Sequence, residues 1–156
     1  MTERLVCLDT SVLIEYLAPE EHTEAASRLV EDALLQGARL VAPAFAWAEV
    51  GSVLRKKVRA GLLQVGTADA LWRDFLELPL EWVDGPGVRA LAWHVAAQYA
   101  LLTLYDAAFL ACTEVAPAPP ETAREYWTAD AALVRELGTR RPPYVRRLGI
   151  DHPPGA

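Results

Sequence analysis

Short apolar runs alternate with longer stretches of helical periodicity along nearly the whole chain, and that alternation leaves few folds open. Residues 4–8 (RLVCL), 39–42 (RLVA, ended by Pro43), 80–83 (LEWV) and 125–128 (EYWT) read as strands, with 144–148 (YVRRL) as a last edge strand. Between them lie helical patterns. A short one follows Asp9 and stops near Pro19. Thr23–Leu35 carries Ala26, Leu29, Val30, Ala33 and Leu34 on one side, with Gly37 as its stop. Further helices are read over 44–60, ending at Gly61, and over 67–78, closed by Pro79. After a turn at Gly85-Pro86-Gly87 come 88–99 and 106–115, then 129–137, stopped by Gly138.

Strands that alternate with helices imply a parallel sheet covered on both faces, and short, continuously apolar strands agree with that. The expected class is α/β: a three-layer α/β/α sandwich around a central, mostly parallel sheet of four to five strands. A length of 156 residues suits one such domain. We read a single domain over residues 1–150 and a flexible C-terminal tail over 151–156.

The composition, 53% apolar and 23% charged, is that of a globular protein. No apolar run is long enough to span a bilayer; the longest, 99–112, is short and interrupted by Asp106. The opening MTERLVCLD lacks the flanks of a signal peptide. Cys7 and Cys112 sit in apolar runs and read as reduced core residues, which points to the cytoplasm. His22, His94 and His152 form no ligand pattern, so a thiolate or imidazole metal site is not expected. The net charge of −6 argues against non-specific binding to a phosphate backbone. Positive charge is clustered in Arg55, Lys56, Lys57 and Arg59 and again in Arg140, Arg141, Arg146 and Arg147, which read as a solvated helix face and a solvated tail.

Against this background four carboxylates stand out, because each lies in or beside a run with almost no other charge. They are Asp9 in LVCLDTSVLI, Glu49 in PAFAWAEVGSVL, Asp106 in LLTLYDAAFLA and Asp130 in YWTADAAL. A buried anion is costly unless compensated. In a parallel sheet, ligands bind beyond the carboxyl ends of the strands, and all four can reach that rim. Asp is also a favoured helix cap, and Asp9, Asp106 and Asp130 each precede a helical stretch. Thr10, Ser11 and Thr128 offer alternative caps. Glu49 lies too far into its helix to cap anything. Oxygen-only ligation selects a hard cation such as Mg²⁺, with Mn²⁺ as a substitute. Ions held this way suit attack of water on a phosphodiester. Lys56 lies seven residues after Glu49, on nearly the same helix face and about 10 Å along it, where a cation could hold a flanking phosphate of a bound strand.

These stretches, in this order, resemble the PIN domain family and in particular VapC-type toxins of toxin–antitoxin pairs. VCLDTSVLIEYL, PAFAWAEVGSVLRK, LTLYDAAFLA and WTADAAL match its four acidic motifs, and the likeness runs from Leu5 to about Leu148. The resemblance implies a Mg²⁺-dependent endoribonuclease. It implies metal ligation mainly by Asp9 and Asp106, with Glu49 and Asp130 completing the pocket and Thr10 or Thr128 in support. It also implies a homodimer, an RNA substrate and a small antitoxin protein as partner. The proline-rich segment 116–122 looks longer than the family's usual link, and either shifts Asp130 or loops out.

Two other classes were weighed. A catalytically silent PIN-like module that binds RNA or protein is the alternative. A receiver domain or haloacid-dehalogenase-like phosphatase falls behind, since there are no adjacent acids after the first strand, Ser11 stands where an Asp-x-Asp pair needs its second acid, and no GxxxxGK loop occurs.

Overall fold

The computed structural model describes residues 2–18 and 20–153. The stop expected near Pro19 and the tail residues 154–156 lie outside the described residues. In chain order the elements are β1 (Arg4–Leu8), α1 (Thr10–Leu17), α2 (Thr23–Leu35), β2 (Arg39–Pro43), α3 (Ala46–Arg59), α4 (Val65–Glu77) and β3 (Leu80–Val83). They continue with α5 (Pro86–Gln98), α6 (Leu104–Val115), β4 (Ala123–Thr128), α7 (Ala131–Leu137), a short 3₁₀ turn (Gly138–Arg140) and β5 (Val145–Arg147).

The strands form one parallel sheet in the order β3-β2-β1-β4-β5. From β1 the chain winds to one side through β2 and β3, then returns to the other side of β1 through β4 and β5. The reversal leaves a crevice between β1 and β4 at the carboxyl edge, where ligands of such sheets bind.

Alternation along the strands assigns the two faces. Leu5, Cys7, Val41 and Tyr126 point to a core built with α5, α6 and α7. Val6, Leu8, Leu40 and Trp127 point to a second core with α1, α2, α3 and α4. Each large apolar side chain buried this way contributes about 1.5–3 kcal/mol. Helix α6 is the most enclosed: every residue from Ala107 to Thr113 is buried. Its three alanines let it lie close against β1, β2 and β4, carrying Asp106 at its exposed first turn.

Boundaries shifted by a few residues, each for a local reason. The Gly85-Pro86-Gly87 turn is shared with α5: Gly85, at φ 129°, turns the chain, and Pro86 is the first helical residue, where its missing N–H costs nothing. Helix α4 begins at Val65, earlier than its periodicity indicates. Strand β3 is an edge strand with Glu81 and Trp82 exposed, so it is not covered on both faces. The proline-rich segment loops out at the opposite end of the sheet from the acids. Arg39 Nη1 donates to Pro117 O at 2.8 Å, Thr122 N to Pro119 O, and Ala123 N to Glu3 O. Asp130 keeps its place after β4. No helix among the described residues is long and apolar enough to cross a membrane. Cys7 and Cys112 are free and buried.

Candidate metal centre

Asp9 leaves β1 at the crevice and occupies the N-cap position of α1, yet its side chain caps nothing. Its Oδ2 instead accepts from the hydroxyls of Ser11 and of Thr128, the latter at 3.0 Å. Ser11 also accepts from Ala129 N at 2.9 Å, and Thr128 from Asp130 N at 3.0 Å. The two hydroxyls lace the ends of β1 and β4 together and hold Asp9 in one orientation. No hydrogen bond reaches its Oδ1 among the described residues. Asp9 is only 6% exposed, and burial raises its pKa against the opposing effect of the Ser11, Thr128 and Tyr126 hydroxyls.

Glu49 projects from the first turn of α3, where Thr10 Oγ1 donates to its Oε1 at 3.1 Å. Thr10 therefore ties α1 to α3 and caps neither. Burial and the Asp9 charge raise the Glu49 pKa, opposed by the Thr10 hydrogen bond. Asp106 lies in the first turn of α6, one turn inside its N-cap Thr103. Its carboxyl is pushed up to about 6, by burial first and then by the charges of Asp9, Asp130, Glu136 and Glu49. That single group reports the convergence: four other acids, from three other parts of the chain, act on it.

Asp130 does cap its helix: its Oδ1 accepts from Ala132 N at 2.9 Å and Leu133 N at 3.3 Å. The capping account thus holds for Asp130, while the charge of Asp130 also reaches Asp9 and Asp106. Glu136, one and a half turns further along α7, is a fifth acid that the sequence reading missed. It looked like an ordinary solvated helix position. Ser11 was considered only as a cap, and its bridging role depends on β4 lying alongside. Lys56 is exposed and lines a groove between α3 and α4 together with Trp47 and Trp72.

Among the described residues no three His, Cys, Asp or Glu side chains stand close enough to grip a metal ion as they are. The donor chemistry nevertheless fits a hard divalent cation. It is all carboxylate oxygen at one rim, and the pKa values of Asp9, Glu49 and Asp106 are raised by burial first and by neighbouring acids second. Asp9, Asp106, Glu49 and Asp130 are the residues that could hold it.

A parallel sheet with carboxylates gathered at its carboxyl edge, beside the reversal of strand order, defines an α/β protein with an acidic oxygen-donor site. The PIN domain model matches residues 6–118, and the chain belongs to the PIN domain family. Asp9, Glu49 and Asp106 fall inside that match and Asp130 beyond it. No curated protein matches the chain by sequence. Among solved structures, it is similar to one described as VapBC2 from Rickettsia felis bound to a DNA fragment from their promoter. The TM-score is 0.60 at 13% identity, over 92% of this chain and 98% of that one. At that identity the likeness establishes the fold.

Proposed function

We propose that this protein is a Mg²⁺-dependent endoribonuclease acting as the toxin of a VapBC-type toxin–antitoxin pair. PIN domains are generally nucleases, and the observation that carries the reading here is the convergence of charge on Asp106 at the crevice beside Asp9. A divalent ion at this place would supply Lewis-acid activation of water and neutralise the phosphodiester. The chain's own part is positional. Ser11 and Thr128 fix one oxygen of Asp9. Thr10 steadies Glu49, and the α7 cap steadies Asp130. Asp106, its carboxyl pushed up to about 6, would release its proton close to neutrality if it held a cation.

The partner and assembly readings rest on surfaces. The groove between α3 and α4, about 590 Å³ and lined by Trp47, Leu54, Val65 and Trp72, is an apolar surface on the helix that carries Glu49. We assign it to a segment of the antitoxin. A second apolar patch, with Trp93 72% and Leu102 fully exposed, lies where α5 leads into α6 and is the face assigned to a homodimer.

Cleavage of RNA in Mg²⁺, with Asp9→Asn and Asp106→Asn each abolishing it, is the expected outcome. Full cleavage by both variants would sink the reading. The absence of a ready-made three-acid cage favours, as a second reading, a catalytically silent module that binds RNA or protein. Calorimetry separates the two: a silent module takes up no Mn²⁺ yet still captures its partner.

A further inference from the structure

Tyr126 is the one group in the floor of the acid cluster whose chemistry the packing does not use. It is fully buried on β4, opposite Cys7 on β1, and its ring packs on Phe109 of α6 with centroids 6.0 Å apart. Cys7 Sγ in turn contacts Phe109 O at 3.7 Å. Backbone bonding to β5 holds it from the other side, Tyr126 N donating to Tyr144 O at 2.9 Å. The side chain is thus wedged among β1, β4 and α6. Those elements carry or lead into Asp9, Asp130 and Asp106.

Its hydroxyl lies near enough to Asp9 and Thr128 to act on them, yet closes no well-formed hydrogen bond among the described residues. Leaving a buried hydroxyl unpaired is destabilising. Phenylalanine would fill the same space against Phe109 without that cost, so packing alone gives no reason for the oxygen. The groups around it are those of the site. Asp9, Cys7 and Asp106 all lie near enough for their charges to act on it. A phenol is un-ionised at neutral pH and keeps a proton to donate. The Asp9 carboxylate above it has Oδ2 already taken by Ser11 and Thr128 and no hydrogen bond on Oδ1.

We propose, on the metal-site reading above, that Tyr126 is a positioning residue whose hydroxyl donates to Asp9 when that carboxylate turns to hold a divalent cation. Such a bond would complete a three-donor cradle of Ser11, Thr128 and Tyr126. It would fix the plane of the carboxylate and offset the loss of water around it. Outer-shell donors of this kind typically change metal affinity by 10–100-fold.

The test is Mn²⁺ titration calorimetry on the full-length wild type, Tyr126→Phe and Asp9→Asn, with thermal melts of each in EDTA. Tyr126→Phe should melt at the same temperature or higher, because it removes only an unpaired oxygen, while its Mn²⁺ Kd weakens roughly 10-fold. Tyr126→Met, another donor-free side chain, should show the same loss of affinity. A structural role alone would instead move the melt and leave the Mn²⁺ Kd unchanged. Unchanged affinity in either folded variant, with Asp9→Asn unable to bind, overturns the role of Tyr126 and leaves the metal site standing. A wild type that takes up no Mn²⁺ overturns both.

Discussion

Asp106 and its neighbours make the metal-free protein sensitive to pH in a defined direction. Its folded pKa, about 6, lies above the ordinary carboxylate range, so between the two values the native state holds a proton that the unfolded chain has released. Stability is then lost as pH rises through that window, and the raised values of Asp9 and Glu49 act in the same direction. The EDTA-treated protein should melt higher at pH 5 than at pH 7, and Mn²⁺ affinity should rise across the same interval as protons are displaced. Asp106→Asn should raise the metal-free melting temperature at pH 7 by roughly 2–4 °C, the change that about 1 kcal/mol produces in a chain of this size. A pH-independent melt would refute the repulsion argument. Asp130 allows its two roles to be separated. Asp130→Asn keeps a side-chain oxygen for Ala132 N and Leu133 N, so stability should hold while metal affinity drops. Asp130→Ala should lose the cap as well, at about 0.5–2 kcal/mol in denaturant titration.

Among the elements, β1 and β4 are joined at both ends by side chains, with opposite purposes. At the carboxyl end hydroxyls orient an acid. At the amino end Glu125, 1% exposed, receives Arg4 Nε at 3.0 Å, Arg4 Nη2 at 3.1 Å and the Trp127 indole N–H at 2.8 Å. This acid is fully paired, and its function is structural. Glu125→Ala leaves the Trp127 indole N–H unpaired and Arg4 holding only Gln36, and should cost about 1–3 kcal/mol in urea unfolding. A cost under 1 kcal/mol would show that the pair is not coupled to the fold. Helices α3 and α4 pack through Gly51, where an added Cβ would meet Trp72 at 3.1 Å. Gly51→Leu should therefore prise the two helices apart and deform the groove between them. Loss of partner capture with RNA cleavage retained is the expected result.

At the scale of the molecule, a net charge of −6 and a concentrated acidic rim oppose the approach of any polyanion unless cations neutralise them. Divalent metal should stabilise the fold by mass action, about 2.7 kcal/mol at a hundred times Kd, and raise the melting temperature accordingly. A melt indifferent to millimolar Mn²⁺ would count against any metal centre here.

The alternation of short apolar runs and helical spacing, with Gly and Pro at the joints, was enough to specify a covered parallel sheet, because those periods record which faces meet a core. Glu49 was legible for a related reason, since an acid amid Val50 and Leu54 cannot be a cap and needs a partner. Which acids share a site was decided only by the strand order. β4 settles beside β1, placing Thr128 against Asp9 and Tyr126 beneath it, and α7 brings Glu136 within reach of Asp106. Nothing local to Glu136, Ser11 or Tyr126 encodes those neighbours, because long-range contact is a property of the packed sheet and not of any segment within it.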